Sequence, residues 1–272
     1  MPTLPTPSHF ASHPSLASSI LITPPPTPTT PPRSVLILLH GLGDTNAPFH
    51  NLASQLSLPH TACISLRAPS PIPALMTGTD ETGFHWGDDL SLDSRTGALD
   101  FDAGFSTAAR PLGELLGVLL GECGFVARDV HFLGYGQGGM AALAVVEAWP
   151  GVEFGGVIGV GSGIAGSKSA MGGVRGYVSS LAVGEGKART PVLVCGGSSG
   201  TVVTAGVVRE VKERFGAVEY VKWERGGDGM PRSRGEMMAL MGFGGGGGGG
   251  ERGGRRIRGS VPEGMEEVAG VA

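Results

Sequence analysis

The sequence predicts an α/β fold with a mostly parallel central sheet flanked by helices on both faces. Five short aliphatic runs bounded by glycine or polar turns are typical of buried strands, and helical patterns lie between them. Strands that alternate with helices favour parallel pairing under two helical layers. Hydrophobic residues make up 40% of the chain, which is enough for a packed interior. We therefore expect one globular domain.

Each predicted element rests on a local pattern. The predicted strands are residues 35–39, 62–66, 130–133, 157–160 and 191–195, with an edge strand in SILIT at residues 19–23. The predicted helices are residues 103–123, 138–149 and 203–215. The last of these has one apolar face and ends at a glycine, as helices commonly do.

Composition changes at both ends of the chain. Residues 1–18 are rich in proline, serine and threonine, which predicts a disordered leader. Residues 244–272 are rich in glycine and cannot bury enough apolar surface to offset their backbone entropy, which predicts a disordered tail. The folded domain is therefore expected over residues 19–243.

Charge and cysteine content exclude several classes of protein. The net charge of −4 does not favour nucleic acid as a partner, and no apolar run approaches the roughly 20 residues of a transmembrane segment. The three cysteines, Cys63, Cys123 and Cys195, lie far apart in apolar runs and show no zinc or disulfide spacing. They are typical of reduced thiols in a cytoplasmic protein. The sequence indicates no cofactor and no metal.

Two glycine-rich turns follow predicted strands. In LILLHGLGD, residues 36–44, glycines on both sides of Leu42 let its N–H point into a cleft, as one half of an oxyanion hole requires. An ordinary strand-to-helix turn explains this motif equally well. In HFLGYGQGGMAAL, residues 131–143, a strand, a sharp turn and a helix follow one another, as in the nucleophile elbow G-x-S-x-G. Gly136 occupies the position of the serine.

The same turn admits a second interpretation. Gly134, Gly136 and Gly139 satisfy G-x-G-x-x-G, the fingerprint of a dinucleotide-binding oxidoreductase, and Glu153 lies at about the 20-residue spacing of its ribose-binding acid. Against this, two strands and a long helix precede the motif, whereas the fingerprint usually opens its domain.

The motifs together resemble a known family. LILLHGLGD, RAPSP, HWGDD, GYGQGGMAAL, TPVLVCGG and GDGMPRSRGEMM occur in the order typical of the acyl-protein thioesterase and carboxylesterase (phospholipase/carboxylesterase) branch of the α/β-hydrolases. The resemblance covers roughly residues 19–243. It implies the α/β-hydrolase fold and a hydrolase of carboxylic esters or acyl-protein thioesters.

The resemblance also implies that the catalytic triad is missing. The nucleophile position falls on Gly136, the acid on or near Gly200, and the histidine on or near Met230. Hydrolases of this fold place their histidine after the nucleophile in sequence, and all seven histidines precede Gly136. His40 and His85 are expected to be structural.

The oxyanion-hole positions survive in this comparison. They fall on the backbone N–H groups of Leu42 and Gln137, and Trp86 is expected to wall an acyl pocket. We therefore expect a catalytically impaired protein that binds an acyl ester, a thioester or a lipid, and a protein partner is compatible with the sequence. The alternative is an active esterase with Ser198, in the literal G-x-S-x-G of residues 196–200, as a non-standard nucleophile.

Overall fold

The computed structural model describes residues 1–27, 31–77, 80–90, 104–165 and 186–243. The predicted tail, residues 244–272, lies outside these ranges. Within them, no helix is long and apolar enough to cross a membrane.

The described part of the chain contains nine strands and seven α-helices, besides 3-10 helices at Pro7–Phe10 and Ala127–Asp129 and a π-helical turn at Val118–Glu122. The strands are β1 (Ile20–Thr23), β2 (Ser34–Leu39), β3 (Thr61–Leu66), β4 (Ser70–Ile72), β5 (Gly83–His85), β6 (Val130–Tyr135), β7 (Gly156–Val160), β8 (Val192–Gly196) and β9 (Val218–Lys222). The helices are α1 (Pro14–Ala17), α2 (Ala47–Leu56), α3 (Ala74–Thr77), α4 (Ser106–Gly117), α5 (Gln137–Glu147), α6 (Ala205–Arg214) and α7 (Arg234–Gly242).

Seven strands form the central sheet in the order β1-β3-β2-β6-β7-β8-β9. All neighbours in it pair in parallel except β1, which runs antiparallel to β3 at one edge. Each inner strand is buried along its length because apolar side chains leave both of its faces into helical layers. The predicted α/β fold with a mostly parallel sheet is confirmed.

The carboxyl ends of the parallel strands meet at one edge of this sheet. The loops after β2, β6, β7, β8 and β9 therefore lie side by side there, as do the catalytic loops of open α/β sheets. The small antiparallel hairpin of β4 and β5 joins them, because Gly43 N–H donates to the carbonyl of Phe84 at 2.9 Å. Any site built from the predicted motifs must lie at this edge.

The amino-terminal segment differs from the expected disordered leader. Phe10 and Leu16 are 0% and 1% exposed and belong to the main hydrophobic core. Thr3 N–H donates to the carbonyl of Cys123 at 2.9 Å. Proline fixes the local conformation of this segment, and two large apolar side chains supply the burial that orders it.

Candidate functional site

Gly136 stands at the tip of the turn that joins β6 to α5. Its backbone angles are φ 51° and ψ −120°, a conformation that favours glycine over residues with a Cβ. Its N–H donates to the carbonyl of Val160 at 2.9 Å, and its own carbonyl accepts from the N–H of Gly139 at 3.1 Å. The sharp strand-to-helix turn of a nucleophile elbow is therefore present with its tip exposed to the loops around it.

The glycines of this turn serve two different purposes. A Cβ added at Gly138 would lie 2.3 Å from the carbonyl oxygen of His40, and one added at Gly134 would lie 2.4 Å from Cα of Gly139. Close backbone packing thus requires glycine at both positions. At Gly136 no atom lies within 4 Å of the added Cβ. Open space remains where the family places its nucleophile.

The loop after β2 lies against the elbow. A Cβ added at Gly41 would contact the Tyr135 ring at 2.8 Å, so this loop packs closely on the residue before Gly136. The N–H of Leu42 donates to no backbone carbonyl of the described residues. Gln137 is the first residue of α5, so its N–H has no acceptor within the helix. Two backbone donors are thus available beside the empty tip.

Trp86 braces these two loops together. Its indole Nε1–H donates to the carbonyl of His40 at 2.8 Å, and its backbone N–H donates to Oε1 of Gln137 at 2.8 Å. The Trp86 side chain is fully buried, with its ring 5.4 Å from that of His40. The two hydrogen bonds hold the loops together. Since the side chain has no exposed surface, its contact with an acyl chain stays a prediction.

His40 is fully occupied by structural hydrogen bonds. Its Nε2 accepts from the N–H of Ala68 at 3.0 Å, so Nδ1 carries the proton and donates to the carbonyl of Gly41 at 2.7 Å. Burial lowers the pKa of His40. The neutral ring has no free nitrogen with which to take a proton from a nucleophile.

The loops after β8 and β9 would hold the family's acid and base, but other residues occupy those positions. Gly200, after β8, has φ 56° and open space over its Cα. Met230, after β9, helps to line a small apolar cavity of about 20 Å³ between α2, α7 and the sheet. Its carbonyl accepts from Arg225 Nη2 at 3.0 Å, and Arg225 pairs with Glu236 on α7. Neither position offers a titratable side chain.

Asp228 links these loops instead. Its Oδ1 accepts from Gly197 N–H at 3.0 Å and from the Thr201 hydroxyl at 2.6 Å, and its Oδ2 accepts from Val202 N–H at 2.7 Å. A Cβ added at Gly161 would lie 2.6 Å from the Asp228 Cβ, so the residue borders the loop after β7 as well. Its only sequence signal is that it is the sole aspartate after the elbow. In an intact triad an acid after β8 accepts from a histidine after β9, whereas here the carboxylate follows β9 and the donors follow β8.

Ser198 forms its hydrogen bonds with the segment after β9. Its hydroxyl donates to the carbonyl of Glu224 at 3.0 Å, and its N–H donates to the carbonyl of Arg225 at 2.8 Å. Within the described part of the chain, no imidazole forms a hydrogen bond with it. Its role as a nucleophile stays a prediction that these contacts do not support.

Comparisons with known proteins agree with the geometry. The phospholipase/carboxylesterase family profile matches residues 26–218. An uncharacterized hydrolase of Schizosaccharomyces pombe is 39% identical over 111 residues, and this match covers 41% of the chain and 45% of the hydrolase. The chain thus spans less than half the length of this curated relative.

Solved structures share the fold. A Bacillus cereus carboxylesterase superposes with a TM-score of 0.59 at 15% identity, covering 88% of this chain and 98% of its own. Acyl-protein thioesterase 2 of Zea mays superposes with a TM-score of 0.57 at 18% identity, covering 83% and 98%. The family match favours the elbow over the dinucleotide fingerprint as the interpretation of the glycine turn. The chain belongs to the phospholipase/carboxylesterase family of α/β-hydrolases.

Proposed function

We propose that this member of the family binds acyl ligands at its elbow and does not hydrolyse them by the family's route. The observation behind the proposal is Gly136, which keeps the backbone turn of the elbow and leaves its tip without a side chain. The donors around the tip remain, so binding and turnover are separated.

The missing groups decide the expected rate. Removing the serine of a catalytic triad lowers kcat by about 10⁶, and the residual acceleration of about 10³–10⁴ comes from the oxyanion hole and binding. No histidine follows Gly136 in the sequence, so the usual general base is missing as well. Strongly impaired hydrolysis follows.

The ligand is expected to present an oxygen with partial or full negative charge. The N–H groups of Leu42 and Gln137 suit a carbonyl or carboxylate oxygen, and the amino terminus of α5 favours negative charge. An acyl ester, a thioester, a fatty acid or another lipid supplies such an atom. A protein partner would be the carrier of the acyl group if the ligand is an acylated protein.

The cellular setting is proposed from the thiols. Cys63, Cys123 and Cys195 are all free and buried, which is compatible with the reducing cytoplasm. Burial raises the pKa of Cys63 and of Cys195 to about 12, so neither is expected to act as a nucleophile.

The test compares two variants at one position. Octanoate binding would be measured by calorimetry or NMR titration in Gln137→Pro and Gln137→Ala. Proline is tolerated at the first position of a helix but has no N–H, whereas alanine keeps the N–H. Both lose the bond to Trp86, so their difference isolates the donor. We expect proline to weaken binding about tenfold relative to alanine, as for one hydrogen bond.

Two results would contradict the proposal. Equal affinities in the two variants would remove Gln137 N–H from the ligand site. Hydrolysis of p-nitrophenyl butyrate or of a palmitoyl thioester at ordinary enzyme rates, about 1–10³ s⁻¹, would show that catalysis is intact.

A further inference from the structure

The hairpin of β4 and β5 places a serine directly opposite a histidine. Ser70 and His85 are paired in the antiparallel register, so both side chains leave the same face of the hairpin. Directly opposed residues have Cβ atoms about 4.5–5.5 Å apart, which a hydroxyl and an imidazole can bridge. His85 is 6% exposed and its Nδ1 has no partner in the described residues. A buried polar atom left without a partner is costly and requires an explanation.

This face of the hairpin is turned towards the candidate site. Gly83 lies on the same face, and a Cβ added to it would lie 2.4 Å from the carbonyl oxygen of Gly43 in the loop after β2. The opposite face carries Pro71, which is exposed, and Phe84, over which the Arg67 guanidinium stacks at 4.7 Å. Ser70 and His85 therefore lie on the side of the hairpin that packs against the oxyanion loop.

The carboxyl end of β5 also reaches the elbow. The residue after His85 is Trp86, whose N–H donates to the side chain of Gln137 at 2.8 Å. His85 is thus separated by one residue from a direct contact with the start of α5. The loop of Leu42 packs against Gly83 in the same strand, so a carbonyl bound by Leu42 N–H would be close to the hairpin.

The charge state of His85 suits a base. Burial lowers the pKa of His85, and the Asp89 carboxylate and a backbone hydrogen bond to Gly87 partly oppose this shift. The ring is therefore neutral at pH 7 and has a nitrogen that can accept a proton. Ser70 is partly exposed, which leaves its hydroxyl open to a ligand.

We infer that Ser70 and His85 form a nucleophile–base pair that accepts acyl groups from esters or thioesters beside the empty elbow. The Ser70 Oγ forms a bond to the acyl carbon while its proton passes to His85. The C–O or C–S bond to the leaving group then breaks, and the leaving group takes that proton from His85. The acyl group stays on Ser70 until water attacks the acyl carbon and passes a proton to the same imidazole. The bond from the acyl carbon to Ser70 Oγ then breaks, Oγ takes the proton back from His85, and a carboxylic acid leaves.

The reaction is slow because no carboxylate of the described residues forms a hydrogen bond to the His85 imidazole, as the acid of a triad does. Asp89 is exposed and its Oδ1 accepts from Leu90 N–H, so it acts on His85 only through its charge. Loss of the orienting aspartate costs a triad about 10⁴ in kcat. Slow acyl capture is compatible with the impaired hydrolysis proposed above and does not depend on ligand binding at Gln137.

The experiment identifies the labelled serine. The full chain would be incubated with an alkyl fluorophosphonate, which forms an O–P bond as the P–F bond breaks, and the adduct would be located by peptide mass spectrometry. We expect the adduct on Ser70, none in Ser70→Ala, and about 100-fold slower labelling in His85→Gln, which cannot act as a base. Ser198→Ala is the matched control and should label like the wild type.

A pH profile separates a base from a structural residue. The labelling rate should rise with an apparent pKa below the ordinary imidazole value of about 6.5 and then level off. An adduct elsewhere, no adduct, or a wild-type rate in folded His85→Gln would overturn the inference. If His85→Gln does not fold, a pH-independent rate in the wild type would overturn it. Each of these results leaves the octanoate comparison at Gln137 unchanged, so the two proposals fail separately.

Discussion

The candidate site has two halves: the elbow with the loop after β2, and the loops after β8 and β9. Different contacts hold each half in place. Around the elbow, backbone contacts fix the geometry, because Gly134 and Gly138 are pressed against neighbouring main chain and leave no room for a Cβ. In the second half, the loops after β8 and β9 are joined by hydrogen bonds to the Asp228 side chain. A site held by main-chain packing keeps its shape when its catalytic side chain is lost. Two loops that are held together by an acid–histidine pair need other hydrogen bonds once that pair is lost.

The largest expected effect tests the packing of the elbow. Gly138→Ala would force a Cβ to within 2.3 Å of the His40 carbonyl, and overpacking against backbone should lower the free energy of unfolding by about 3 kcal/mol. Gly136→Ala is the control, because it meets no atom within 4 Å and costs only the strain of its backbone angles, about 2 kcal/mol. Urea denaturation measures both. Equal losses would mean that packing does not distinguish the two positions.

A similar effect is expected at the amino end of β6, away from both halves. Burial lowers the pKa of His131 to about 4, below the value of about 6.5 in an unfolded chain. The unfolded chain therefore takes up the proton first, so this contribution is fully present above pH 6.5 and lost as the pH falls towards 4. The loss should reach about 3 kcal/mol.

The measurement for His131 is the free energy of unfolding between pH 7 and pH 4. His131→Gln cannot titrate and should show a correspondingly flatter profile. An unchanged profile in that variant would place the acid sensitivity elsewhere in the chain.

Asp228 is expected to stabilise the loops after β8 and β9. Asp228→Ala leaves three donors of the β8 loop without their acceptor, and because the residue is only partly buried we expect a loss of about 2 kcal/mol. Asp228→Asn keeps one acceptor oxygen and should lose less. Thermal or urea unfolding measures both. The control is Ser198→Ala in the same loop, which should stay within about 0.5 kcal/mol of the wild type; a loss as small as this in Asp228→Ala would remove the linking role.

The smallest expected effect concerns activity. Gly136→Ser restores the side chain of the family's nucleophile but not its base, since His40 is fully bonded and Met230 packs into an apolar cavity. His85 is paired with Ser70 on the hairpin, so we do not expect it to serve a serine at position 136. Hydrolysis of p-nitrophenyl butyrate should therefore stay at the wild-type level. A clear gain in kcat would mean that a base does reach the elbow, and the two halves would then be less different than their side chains indicate.

Local patterns predicted much of the fold. The five predicted inner strands match β2, β3, β6, β7 and β8 to within two residues, because continuous aliphatic runs between turns have few other solutions. The strand β9, with the sequence VEYVK, was missed because its charged and half-exposed residues lack that pattern. The helices α2 and α7 and the hairpin of β4 and β5 were missed as well.

The residues of the candidate site were named from the sequence. Family motifs located Gly136, Leu42, Gln137 and Trp86, and in the structure their loops are neighbours at one edge of the sheet. Their roles in ligand binding stay predictions. Sequence patterns did not indicate Asp228, whose partners lie 26–31 residues away in another loop. They did not place Ser70 opposite His85 either, because that pairing depends on the register of a short hairpin.

The sequence by itself determined the five inner strands, the glycine at the tip of the elbow and the absence of any histidine after it. These are properties of single positions and local runs, which no packing can alter. Only the tertiary structure decided that the amino-terminal segment joins the core, that Asp228 bridges two loops, and that Ser70 and His85 lie opposite each other in the register of β4 and β5. Such contacts join residues distant in the chain, and the geometry of the whole sheet selects them.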